Sequence, residues 1–350
     1  MSHADGALSY SDYLADSHRP AFDGMRAIGF LMVISAHIPS VPLFGYLQGW
    51  TAVWMFFAIS GYLVTMLMLR EEKRHGGVAF RPFLIKRFFR IVPSYWMAIL
   101  IYGLACLALP RLAEDYESFA ARLPYYLSFM PEYANANGYN IFTHAWAVGV
   151  ELKFYVFFPP AIFLLIKDAN WRFAATATAA AVLTAIGTFN AQSYCAIMFG
   201  AMLALVLERP CGYAVIARLT RVPVAVPLAL VAALFVLLRY SEQLTAVALV
   251  ATYVVAYAIV QQAKMSRILS WRPLVYLGQR SYGAYLLHFL AICIGYLFFG
   301  NDTAVGGLLT AGFCLALTVP AAELLYRLIE RPGIDYGRLL ISRKRFRAAG

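Results

Sequence analysis

Arg26 and His37 are the first residues in this chain whose types and spacing suggest chemistry. They sit eleven residues apart in an apolar run that opens with Phe22-Asp23-Gly24-Met25-Arg26 and closes at Ala36-His37-Ile38-Pro39. On an α-helix that spacing is roughly 16 Å along the axis and within about 20° of one face. An ionisable side chain at mid-bilayer depth costs roughly 2.5 kcal/mol or more, so such groups turn toward a cavity or a partner rather than lipid. An imidazole can take the proton of a hydroxyl. A guanidinium offers a rigid fork to anionic oxygens. The competing reading is an arginine that snorkels to the headgroups from the helix start and a histidine satisfied at a helix interface.

Four further groupings carry chemical potential. Glu151 lies about two turns into a later apolar run, Trp146 to Tyr155, with Tyr155 one turn on at i+4. A carboxylate there needs a partner, and His37, Arg26 and Lys153 are the candidates. With His37 it makes an orienter and a base, the arrangement that activates a hydroxyl; with Arg26 or Lys153 it is a structural bridge. Arg70, Lys73, Arg74, Arg81, Lys86, Arg87 and Arg90 form the densest positive stretch. Guanidinium forks match phosphate oxygens, so Arg81, Lys86, Arg87 and Arg90 suit a phosphorylated cytoplasmic ligand such as coenzyme A. Anionic lipid is the other taker. Ser60, beside Gly61, either lets helices approach closely or lines a ligand tunnel. Ser281, Tyr285 and His288 share a helix face, where His288 reads as a structural or gating group.

The elements that must position these residues are membrane helices. Hydrophobic residues make up 62% of the chain and charged ones 13%, and the mean hydropathy is +0.67. Soluble proteins carry about 25% charged residues, so an all-α, polytopic membrane bundle is expected. Apolar runs of bilayer-spanning length fall near 22–40, 47–69, 88–109, 143–166, 171–189, 192–207, 222–239, 244–262, 282–299 and 304–328, ten candidate spans with 171–207 the least distinct pair. With the N-terminus in the cytoplasm, 25 of the 29 Lys and Arg fall on the inner side, three outside, and Lys153 within a span. That asymmetry predicts both termini inside and accounts for the net charge of +11 without nucleic acid.

The domain plan is a cytoplasmic N-terminal tail over 1–21, a transmembrane domain over 22–340 and a basic cytoplasmic tail over 341–350. The polar, acidic opening residues predict no cleavable signal peptide. Cys106, Cys195, Cys211, Cys293 and Cys314 show neither metal-ligand spacing nor a disulfide framework, so no metal and no disulfide are expected. The long outer loop, Pro110 to Phe142, combines acidic residues with Tyr125, Tyr126, Tyr133, Tyr139, Asn135, Asn137 and Asn140. That mixture suits a neutral polyol, or, for the tyrosines, an interfacial aromatic belt.

Taken together, the motifs resemble the bacterial membrane acyltransferase 3 family: Phe22-Asp23-Gly24-x-Arg26 followed by His37, Phe56-Phe57-x-x-Ser60-Gly61-Tyr62-Leu63, Arg90-Ile91-x-Pro93-x-Tyr95-Trp96, Trp146 to Tyr155, Ser281-Tyr282-Gly283-x-Tyr285-Leu286-x-His288, and Glu330-x-Pro332. The resemblance spans nearly the whole chain. It implies an O-acyltransferase of the bacterial cytoplasmic (inner) membrane. This enzyme moves an acyl group, usually acetyl, from cytoplasmic acyl-CoA to a hydroxyl of an extracytoplasmic glycan such as exopolysaccharide or lipopolysaccharide.

Acyl-CoA is then a co-substrate, and no cofactor is bound permanently. The partners are the donor, the glycan or glycolipid acceptor and membrane lipid. His37 and Glu151 become the catalytic candidates. Arg26, Ser60, Arg81, Lys86, Arg87 and Arg90 become the donor site, and Trp146, Tyr155 and His288 the acceptor site. The chain departs from the family's motif at Ala147 and Gly149, where serines are usual, and at Leu152, where a second carboxylate is usual. No fused hydrolase-like domain is expected. A transporter or flippase for an anionic or glycolipid substrate, with Arg26, His37 and Glu151 as its polar path, is the competing class; it predicts paired broken helices in two halves, a pattern absent from the sequence.

Overall fold

The computed structural model describes residues 7–15, 19–134, 138, 140–241 and 243–348. Asn135, Asn137 and Tyr139 of the expected outer loop lie outside the described residues, as do the first six residues of the tail and the last two. Among the described residues the chain is helical and has no strand.

In chain order the helices are α1 (Tyr10–Ala15), α2 (Pro20–Ala36), α3 (Pro42–Tyr46), α4 (Ala52–His75), α5 (Phe80–Ala108), α6 (Ala113–Leu127), α7 (Pro131–Ala134) and α8 (Trp146–Leu165). There follow α9 (Ala169–Ile186), α10 (Phe189–Leu207), α11 (Pro210–Leu219), α12 (Ala225–Leu237), α13 (Leu244–Val260), α14 (Gln262–Leu269), α15 (Arg272–Phe299), α16 (Ala304–Leu325) and α17 (Arg331–Ala348), with a π-turn at Tyr326–Glu330. Local chemistry sets several boundaries. Asp168 caps α9 by accepting from the amides of Asn170 and Trp171 at 2.8 and 3.0 Å, and Thr303 caps α16 through the amide of Gly306 at 3.0 Å. Gly76 and Gly187, with φ of 72° and 71°, end α4 and α9 in the left-handed conformation that glycine adopts without strain.

Each of the ten expected runs contains a helix, but six helices among the described residues are long and apolar enough to cross a membrane: Gly49–His75, Phe80–Ala108, Thr143–Leu165, Phe189–Leu207, Arg272–Phe299 and Ala304–Ser342. Ala225–Leu237 and Leu244–Val260 are apolar but shorter. The chain is thus a multi-pass helical membrane protein.

Two compact units divide the chain. The first comprises Met1–Val78 and Phe158–Gln279. Its centre is the pairing of α4 with α10, with α9 and α13 alongside. Backbones meet there because glycines face them: a Cβ at Gly61 would lie 2.0 Å from the Ile197 carbonyl oxygen, and one at Gly200 would lie 2.2 Å from that of Ala58. This is the close approach that small residues permit between membrane helices. Charges are paired inside it. Arg172 grips Glu72 with two bonds, 2.5 and 2.8 Å, and Arg70 binds Glu208 at 2.8 Å. Within the expected N-terminal tail, Tyr13 is fully buried and the Leu8 amide donates to the Val260 carbonyl at 2.9 Å. That segment is part of the unit's core.

The second unit comprises Ala79–Phe157 and Arg280–Gly350. In it α17 packs on α5, and α15 meets α16 at Gly283 and Gly295. Most of the segment expected as an outer loop is helical. Leu112, Phe119 and Tyr126, spaced by seven residues, are buried in a row at and along α6, an amphipathic pattern that folds onto α5.

Candidate active site

In the first unit the Phe22-to-His37 stretch is one helix, α2, for which His37 is the C-terminal cap. The residues of the motif have separable roles. Phe22 packs edge-on against Tyr62 at 5.8 Å. Asp23 pairs with Arg26 at 3.5 Å and accepts from Gln279 at 3.4 Å. Gly24 is obligatory on steric grounds, since a Cβ there would lie 2.0 Å from the Leu269 carbonyl oxygen. Gly278 meets the Asp23 carbonyl in the same way, at 1.8 Å. The start of α2 is thus clamped backbone to backbone.

The far end of α2 is clamped too. A Cβ at Gly49 would meet the Met32 carbonyl at 1.8 Å, and the His37 amide donates to Ile34 at 3.1 Å. His37 itself is half-buried. Arg26 and His37 therefore stand about three turns apart on one rigid helix. Ser60 is buried on α4, beside the Gly61 contact with α10.

The second unit gathers Glu151, Tyr155 and Arg87. The Tyr155 hydroxyl donates to Glu151 Oε1, and the Arg87 guanidinium stacks over the Tyr155 and Phe83 rings at 5.0 and 5.5 Å. Tyr282 and Tyr285 lie within electrostatic reach of Glu151. Lys153, one of the partners expected for Glu151, goes elsewhere: its ammonium meets Glu132 at 2.5 Å. Trp146 opens α8 and is half-buried.

Of the expected phosphate-binding cations, Arg81, Lys86 and Arg90 are exposed on α5, while Arg87 is half-buried. Arg90 lies 4.0 Å from Glu330, a carboxylate that is 5% exposed and ends the π-turn. Arg70, grouped with these cations by sequence, belongs to the first unit and is spent on Glu208.

His288 is fully buried. Its Nδ1 lies 2.6 Å from the Tyr285 carbonyl and its ring stands 4.9 Å from that of His144. His144 Nε2 in turn faces the Leu286 carbonyl at 3.1 Å. A carbonyl only accepts, so each of these ring nitrogens carries the hydrogen. Sequence reasoning gave no role to His144, Glu132 or Glu330. The Glu330-x-Pro332 motif was a signal for the third; the first two become visible only through contact.

A family model described as an acyltransferase domain matches residues 19–327. The chain is 24% identical over 357 residues to "Putative O-acetyltransferase SAS0844" of Staphylococcus aureus strain MSSA476, an alignment covering 92% of this chain and 58% of that protein. It is likewise 24% identical over 350 residues to the O-acetyltransferase OatA of S. aureus strain NCTC 8325, covering 89% and 57%. The chain thus spans under two thirds of the length of these relatives. No solved structure matches it.

Proposed function

The chain belongs to the acyltransferase 3 family, and from that premise we propose that it transfers an acyl group, acetyl first among them, from cytoplasmic acyl-CoA to a hydroxyl of an extracytoplasmic glycan. In this reading the ten helical runs span the bacterial cytoplasmic membrane with both termini inside. The observation that carries the reading is α2: an arginine and a histidine three turns apart on one helix that is clamped at both ends by glycine contacts. A helix held that firmly keeps a donor anchor and a base in fixed register, the positioning on which transfer depends.

Arg26 and Ser60 in the first unit, and Arg81, Lys86, Arg87 and Arg90 in the second, are the residues we assign to the donor. His37 takes the proton of the acceptor hydroxyl. The resulting oxygen nucleophile attacks the thioester carbonyl, the new C–O bond forms, the C–S bond breaks, and the departing CoA sulfur takes up the proton to leave as the thiol. Glu151, bonded to Tyr155, is the second catalytic group. Trp146, Tyr155 and His288 shape the acceptor side, His288 through the buried packing of α15.

The test is transfer of label from acetyl-CoA by purified protein in vesicles, wild type beside His37→Ala, with a panel of bacterial glycans. Removing a general base lowers the rate by about 10²- to 10⁴-fold, with CoA binding retained. Full activity in His37→Ala removes the histidine from the mechanism. No label on any acceptor, with no CoA binding, returns the transporter reading.

A further inference from the structure

The short helix α7 delivers a carboxylate to the first turns of α8. Glu132 is 4% exposed and its Oε1 lies 2.5 Å from Lys153 Nζ. The same ammonium donates to the Phe129 carbonyl at 2.6 Å and reaches the Gly149 carbonyl at 3.5 Å, and it stands 5.8 Å from the Tyr133 ring. An ammonium has three hydrogens, and all three are directed at oxygens of this chain. Gly149 provides the room: a Cβ there would lie 2.5 Å from Glu132 Oε2 and 2.7 Å from Pro131 Cδ.

Arg122, the cation of α6, is also turned inward. It is 8% exposed and donates to the Ala134 carbonyl at 3.0 Å and the Ser118 carbonyl at 2.8 Å. Both cations between α6 and Tyr155 are therefore engaged within the fold. Lys153 lies within the stretch that carries Trp146, Glu151 and Tyr155, and Arg122 precedes it on α6.

We propose that the Glu132–Lys153 pair, made possible by Gly149, tunes the acceptor site for an uncharged hydroxyl compound, a neutral glycan or polyol, and against acceptors that carry a carboxylate. A bound carboxylate needs a cation to replace its water. The ammonium nearest Glu151 in sequence already holds an anion, and a second carboxylate beside Glu132 is repelled. This inference rests on the O-acyltransferase reading and on residues 110–142 serving the acceptor.

The experiment uses the full chain in vesicles with labelled acetyl-CoA and two acceptors of equal length, a neutral glucan oligosaccharide and the corresponding uronic-acid oligosaccharide. Wild type is expected to favour the neutral acceptor by on the order of tenfold or more in kcat/KM. Glu132→Gln leaves the Lys153 ammonium without this anion, and Gly149→Ser displaces Glu132 by its Cβ. Both are expected to narrow the preference through a lower KM for the uronic-acid acceptor with kcat little changed.

Preference of wild type for the uronic-acid acceptor overturns the inference while leaving the acyltransferase reading standing. So does an unchanged ratio in both variants. Absence of transfer to either acceptor, with no acetyl-CoA hydrolysis, overturns both. The wild-type ratio tests the proposal even if a variant fails to fold.

Discussion

Glu208 offers the sharpest test of how the first unit is held. It caps α10, and its Oε1 accepts from Arg70 Nε at 2.8 Å and from the Tyr13 hydroxyl at 3.1 Å. Each side chain of the ion pair is 9% exposed. Arg70 also donates to the Tyr13 carbonyl at 3.0 Å and stacks on its ring at 5.2 Å. Breaking a buried pair by removing one partner costs about 3–5 kcal/mol. Glu208→Gln keeps a neutral oxygen for the hydrogen bonds, which retains about 1 kcal/mol, so its expected cost is about 2–4 kcal/mol. Arg70→Met is expected to cost the full about 3–5 kcal/mol.

The double variant Arg70→Met with Glu208→Gln buries no charge at this position. It should be less destabilised than the sum of the singles by about 2 kcal/mol or more. Reversible unfolding in mixed micelles, read by the folded fraction against denaturing detergent, gives all three values. A Glu208→Gln cost below about 1 kcal/mol, or a double variant that equals the sum of the singles, would refute the reasoning; the pair would then be a surface-like contact.

Three other outcomes follow from the packing. Gly61→Leu sets a side chain against the Ile197 carbonyl where even a Cβ would stand at 2.0 Å; the obstacle is backbone, so a loss of about 1–3 kcal/mol or more is expected, and native-like melting would contradict the α4–α10 contact. Arg172→Lys forfeits the two-pronged grip on Glu72 and the 2.8 Å bond to the Ile166 carbonyl; it should cost about 1–3 kcal/mol, whereas a neutral outcome would mean the fork is unimportant. Burial pushes the Tyr126 and Tyr213 hydroxyls up to about 12. Their unfolded forms ionise near 10, so stability is untouched below about pH 10 and falls between 10 and 12 by about 1.4 kcal/mol per pH unit for each. A folded fraction constant to pH 12 would exclude that linkage, and Tyr213→Phe should remove its share of the slope.

The helices and the principal motif could be read from the chain because their signals are local. An apolar run sets where a helix forms, and the i+4 step from Glu151 to Tyr155 fixes a bond the structure contains. The Ser60-Gly61 step likewise announced a close helix contact without naming α10. The segment 110–142 reads as loop for a local reason too: its seven-residue repeat of Leu112, Phe119 and Tyr126 is interrupted by charges and by Pro124.

Partner choice was a different matter. Seven cations between Arg70 and Arg90 look alike in sequence, yet Arg70 binds Glu208, 138 residues away, while Arg87 lies against Tyr155. Lys153 had Glu151 two residues off and chose Glu132, 21 residues distant, because neighbours at i+2 on a helix face apart and Gly149 left room for α7. His144 meets the residues around His288 across 142 positions. Composition and periodicity therefore determined that this chain is a bundle of membrane helices and which faces carry its ionisable groups. Which charges meet was decided only when the helices packed, since Coulomb attraction is indifferent to sequence order and the helix packing sets which groups come within reach.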